Sequence, residues 1–281
     1  MKKIGLVSLV FSTLALMIAA LGHAEPLQYL NVNLPQYISQ DTSVRVLSDS
    51  LKSGNEFIRK CVAVRLGQFD NSSVVPLLIN AYENEPVRPF TTDPTNGVRY
   101  YALTSIGKAG GIEAESYLTK LANEIFLQQK ELDWAKGDAI QITVGVLDGL
   151  AEIASQADID LLLNIFESHG HGMVVRKFAY TAYIRARLKS SNLSHTQEGV
   201  NWVLDQLRSI VNSDSTRSSP MNSPNRIKGD ALFTNLVELG IDHEEMIRQY
   251  RSFLSSEDPV NAELDRILSI VHGWKKRIGK Q

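Results

Sequence analysis

The sequence predicts an all-α fold, an α-solenoid of about six antiparallel helix pairs. Three observations point to it. From Thr42 onward almost every segment spaces its apolar residues as one face of a helix, and strand-like alternation is rare. The segments are short, mostly about 10–17 residues, and are punctuated by Gly, Asn and Ser. One pattern also recurs. Val98-Arg99-x-x-Ala102 with Ile106-Gly107 has a copy 40 residues before it, Ile58-Arg59-x-x-Val62 with Leu66-Gly67. Another copy starts 77 residues after it, Val175-Arg176-x-x-Ala179 with Tyr183.

The chain opens Met1-Lys2-Lys3 and then runs apolar from Ile4 to Leu21. Gly22-His23-Ala24 places small residues before a cut after Ala24, which completes the pattern of a secretory signal peptide over 1–24. The competing expectation is an uncleaved helix anchored in the inner membrane, because the apolar run is close to spanning length. Residues 25–41, with Pro26 and Pro35, read as an extended arm.

Helices are then expected over Thr42–Lys52, Asn55–Leu66 and Val74–Tyr82. Asn55 caps the second and Asn71 precedes the third. A proline-bearing loop, Glu83–Asn96, leads into Val98–Ile106. Further helices are expected over Ile112–Phe126, Asp138–Ala154, Asp158–Glu167, Met173–Leu188 and Gln197–Val211. A polar Ser/Pro-rich stretch, 212–225, interrupts them. Ile227–Leu239, with Gly240 as its stop, Asp242–Leu254 and Asp258–Trp274 complete the solenoid over 42–274, and 275–281 is a basic tail.

Within the recurring pattern Val98, Ala102 and Ile106 share one buried face. Ala102 lets two helix axes approach, and Gly107 is read as the turn that ends the helix. Arg99 lies beside the stripe, where its head can reach an acceptor in the next repeat; Asp93 is the candidate. The pattern resembles that of the HEAT-repeat family, in its short bacterial form related to phycobilisome-lyase repeats, strongly over 55–190. The resemblance implies a right-handed superhelix with the Val-Arg helix lining the concave side. It would put Lys60, Tyr100, Thr104, Asp148, Lys177 and Arg185 near an inner surface. Repeats of this kind serve as scaffolds, chromophore lyases, hydroxylases and nucleic-acid enzymes.

Composition narrows the choice. Without residues 1–24 the 281-residue chain keeps 257, and its Lys+Arg falls from 29 to 27 against 31 Asp+Glu. A mildly acidic chain with no long basic run argues against nucleic acid as a partner. Cys61 is the only cysteine, so no internal disulfide forms and the core must hold the fold. Cys61 itself reads as a small buried hydrophobe.

No catalytic residues emerge, and no cofactor is called for. Ser105-Ile106-Gly107-Lys108 fits S-x-x-K, but its supporting elements are missing and the repeat already explains it. His243-Glu244 resembles the iron-holding pair of hydroxylases of this architecture but occurs once, so it reads as a helix start. Glu167, His169 and His171 share one loop and are the best metal candidates, with no fourth ligand at informative spacing. Tyrosine and arginine anchor interfaces more than other residues do. The binding candidates are therefore Tyr100, Tyr101, Thr104, Lys177, Tyr180 and Arg185, with Tyr183 expected in the core because it takes the register of Ile106. The leading expectation is a non-catalytic scaffold in the bacterial periplasm that binds another protein or peptide. The alternatives are a groove-type small-ligand or lyase-like enzyme and a structural module of a cell-envelope assembly. No stable membrane insertion is expected once the signal is cut.

Overall fold

A computed structural model describes residues 43–69, 71–86, 97–128, 138–212 and 223–277. The expected signal peptide and N-terminal arm, Asp93, most of 83–96 and 212–225, and 278–281 lie outside the described residues. Among the described residues the fold is all-α: eleven α-helices, one 3-10 turn, one π-turn and no strand. The chain divides into two compact units, Met1–Gly149 and Leu150–Gln281.

The first unit begins with α1 (Val44–Ser50), which buries only Leu47. Helix α2 (Glu56–Leu66) starts where Asn55 accepts a hydrogen bond from the Phe57 N–H, and it buries Cys61, Val62, Ala63, Val64 and Leu66. Asn71 caps a short 3-10 turn, Ser72–Val74, that runs into α3 (Val75–Asn84). Helix α4 (Val98–Ala109) buries residues on every side, as a helix surrounded by others must. It stops at Gly110, whose φ of 67° suits a residue without Cβ. Helix α5 (Gly111–Ala122) continues into a π-turn, Asn123–Leu127, that buries Ile125 and Phe126. Helix α6 (Asp138–Ile153) crosses into the second unit.

In the second unit α7 (Gln156–Glu167) opens with a reciprocal capping box between Ser155 and Asp158. Helix α8 (Met173–Ser190) folds back on it, with the Tyr180 and Phe166 rings 4.7 Å apart. Helix α9 (Gln197–Asn212) buries Val200, Val203, Leu204 and Leu207. Helix α10 (Pro224–Ser252) is two helical segments meeting at His243, where φ −129° and ψ 34° leave the helical region. Helix α11 (Asn261–Arg277) ends the unit. Lys275, Lys276 and Arg277 therefore belong to its last turn, where cations favour the negative helix pole, and not to a separate tail.

Two of the recurring glycines, Gly107 and Gly240, do not end helices. Gly107 lies inside α4, and a Cβ there would come within 2.1 Å of the Gly149 carbonyl oxygen on α6. Gly67 does close α2, but with an ordinary φ of −67°; a Cβ would sit 2.5 Å from Ser105 Cβ on α4. Gly240 lies three residues before the break, and its Cβ would sit 2.7 Å from Val271 Cγ2 on α11. These glycines are kept because a neighbouring helix lies too close for a side chain. Only Gly110, of those in α4's last turn, is there for backbone freedom.

The neighbours across these contacts rise together. On α4 and α6, Tyr100 faces Gly145 and Gly107 faces Gly149, so the two helices run parallel. In the second unit Asn235 on α10 donates to the Thr181 carbonyl on α8, and Arg185 donates to Glu238, again in parallel order. The first segment of α10 also runs parallel to α11, with Phe233 against Arg266 and Gly240 against Val271. Parallel equivalent helices joined by antiparallel partners are the packing of a helical repeat. The separations along the chain vary, so the repeat is irregular in length.

Candidate functional site

In the first unit Arg59, Arg99 and Tyr100 tie one part of the fold to the next. Arg59 on α2 holds Glu85 with both ends of its guanidinium, at 2.9 and 2.7 Å, and the buried Glu85 carboxylate raises the Arg59 pKa. Arg99 on α4 donates to the Glu85 carbonyl and, at 3.1 Å, to Asp138 at the start of α6. The carboxylate that Arg99 meets is thus 39 residues along the chain. Tyr100, Tyr101 and Thr104 are all buried. Tyr100 donates to Asp148 Oδ2 at 2.9 Å, and Thr104 donates back to the Tyr100 carbonyl. Lys60 is paired with Glu56 one turn earlier. Ser105 is buried against Gly67, which places it in a helix crossing and not in a reaction site.

Two of the six binding candidates, Lys177 and Arg185, stand on one face of α8 in the second unit, two turns apart and each only partly exposed. Asp230 and Glu238 stand with the same spacing on α10. Arg185 pairs with Glu238, their side chains 35% and 34% exposed. Burial pushes the Lys177 ammonium below its ordinary range, against the opposing pull of Asp230 and Glu238. Burial likewise pushes the Asp230 carboxyl up, against Lys177, Arg226 and Arg266. Two cations and two carboxylates are thus held in register on parallel helices, only partly solvated.

An aromatic group borders them. Tyr180 is buried between Phe166 and Tyr183, and burial pushes its hydroxyl up to about 12. Tyr183 stacks on it at 5.4 Å and is half-exposed, so the expected core position falls to Ile184 instead. Lys228 on α10 lies over both Phe166, at 5.4 Å, and Tyr180, at 5.6 Å. Tyr183, Lys228, Asp230 and Glu238 were not among the residues expected from sequence. One signal was available: Lys177 and Asp230, like Arg185 and Glu238, are opposite charges 53 positions apart.

The metal candidates separate. Glu167, His169 and His171 do not gather, and no group of three His, Cys, Asp or Glu stands together among the described residues. Glu244 is held by Arg248 on its own helix and by Lys275 on α11. Burial works against its charge, but these two cations prevail and keep its pKa low. Cys61 is buried and unpaired, its thiol pushed up by desolvation. No helix among the described residues is long and apolar enough to cross a membrane.

No known family model matches the chain, and no curated protein matches it. Among solved structures it is similar to the complex of CpcE and CpcF of phycocyanin lyase from Nostoc sp. PCC7120, at 19% identity and a TM-score of 0.42. That alignment covers 92% of this chain and 93% of the other. What the chain itself establishes is an all-α helical-repeat fold with one half-solvated face of charges and tyrosine on α8 and α10.

Proposed function

We propose that this protein is an exported HEAT-like repeat protein that binds a segment of another protein, without catalysis, through the α8–α10 face. The observation that carries the reading is the in-register set of Lys177, Arg185, Asp230 and Glu238 beside the half-exposed Tyr183. Partly desolvated charges hold their directions and can exchange their intramolecular partners for those of a bound chain. A tyrosine ring at their edge adds apolar area with few rotatable bonds. Parallel helices present such groups along a line, which suits an extended segment better than a compact molecule. Export to the periplasm rests on residues 1–24.

The test reverses the charge pattern without deleting it. The double variant Arg185→Glu with Glu238→Arg keeps an ion pair across the helices but inverts the face. Bait protein of natural sequence should recover a stoichiometric partner from periplasmic extract, and the inverted bait, equally helical and equally stable, should lose it at least tenfold. Equal recovery by both baits would move the binding surface elsewhere.

A further inference from the structure

Outside this face, two histidines from distant parts of the second unit meet. His195 Nδ1 and His243 Nε2 lie 3.2 Å apart, with ring centroids at 5.5 Å and planes inclined by 54°. The rings are not stacked; they bring one nitrogen each to a common point. His195 belongs to the turn between α8 and α9, and His243 is the residue at which α10 breaks.

Both backbones are fixed. Asn192 takes a positive φ of 57°, and the turn is closed by the Leu193 N–H on the Leu188 carbonyl at 2.7 Å. Thr196 Oγ1 accepts from the Gly199 N–H at the start of α9. Gln197 Nε2 donates to the Met246 carbonyl at 3.2 Å, tying the end of this turn to the segment of α10 that follows His243. Glu244 is already occupied by Arg248 and Lys275, so its charge is balanced beside the pair.

We infer that His195 and His243 form a two-histidine site for a late first-row divalent cation, of which zinc is the simplest probe. Two imidazole nitrogens on one tetrahedral zinc, each bonded at 2.0–2.1 Å, stand about 3.3 Å apart. The observed separation agrees with that span, and borderline imidazole donors favour zinc, copper and nickel over magnesium or calcium. The two protein ligands leave the remaining positions for water or for a donor from a bound partner. Because the ligands come from separate elements, the cation would bind the folded chain and clip the α8–α9 turn to the break in α10.

The experiment titrates untagged full chain with zinc alone, by calorimetry and by thermal unfolding. One equivalent should bind saturably and raise the unfolding midpoint. His195→Ala and His243→Ala should each weaken binding at least tenfold, while His272→Ala, on the exposed side of α11, should leave it unchanged. Nitrogen-detected NMR of the unsubstituted chain guards against variants that fail to fold: zinc must shift the ring nitrogens of His195 and His243. An absent equivalent, unshifted rings, or binding unaltered in both variants would leave only an N–H···N hydrogen bond and overturn the site.

Discussion

In the first unit the arginines of the recurring Val-Arg pattern end on carboxylates, Arg59 on Glu85 and Arg99 on Asp138. In the second, Arg176 ends on a main-chain carbonyl, that of Phe166, at 2.7 Å, with its guanidinium 5.3 Å from the Phe166 ring centre. The same motif position does the same job, tying one helix to the next, with a different acceptor. In the first unit the carboxylates are thereby consumed inside the framework: Glu85 and Asp138 are buried beneath their arginines. In the second, the framework arginine needs none, and Asp230 and Glu238 stand on a half-solvated face opposite Lys177 and Arg185. The same motif position thus uses a buried carboxylate in the first unit and a main-chain carbonyl in the second.

That contrast is open to mutation. The largest effect is expected from Glu85→Ala, which strands Arg59 and should cost about 3 kcal/mol, since removing one partner of a buried pair leaves the other charge uncompensated. Arg185→Ala, breaking a pair a third exposed, should cost less than about 1 kcal/mol. Urea unfolding of the two variants measures the difference, and equal losses would erase the distinction between the units.

The next effect concerns the glycines. Gly107→Ala drives a methyl group into the Gly149 carbonyl and should lose about 1–3 kcal/mol. Gly273→Ala, in α11 where a Cβ meets nothing within 4 Å, should gain about 0.5–1 kcal/mol by the same unfolding assay. If Gly107→Ala were stabilising instead, its role as a helix stop would be restored.

The smallest effect is electrostatic. The folded-state pKa of Lys177 is below its ordinary value of 10.5, because burial disfavours the charged form, so folding disfavours its proton. Stability from this group therefore rises with pH from the folded value up toward 10.5. Asp230→Asn removes a charge that raises the Lys177 pKa, so NMR of the lysine ε-carbon should find it lower still. An upward shift would contradict the placement of Asp230 opposite Lys177.

Much of the helix pattern was legible because it is local. Asn55 and Asn71 were readable as caps from neighbours a few residues away. Gly67 does close its helix, but Gly107 misled for the opposite reason. A glycine ending an apolar run looks like a stop, whereas the constraint on Gly107 comes from Gly149, forty-two positions on. Arg99 was matched to nearby Asp93, which lies outside the described residues; the acceptors seen among the described residues are the Glu85 carbonyl and Asp138. Tyr183 was placed in the core by aligning it with Ile106, yet a rotation of one residue gives that position to Ile184. The α8–α10 face and the meeting of His195 with His243 depend on which helices become neighbours, and a single sequence states that only through matched spacings such as the two pairs 53 positions apart.

The central claim is that recognition belongs to the second unit's α8–α10 face. A photoreactive phenylalanine analogue at position 183 tests it directly, with the same group at Phe57, an exposed aromatic of the first unit, for comparison. The account predicts a covalent adduct with one partner protein from position 183, absent in the Arg185→Glu, Glu238→Arg background and absent from position 57. An adduct from position 57 alone, or none from 183 while the partner still co-purifies, would contradict it.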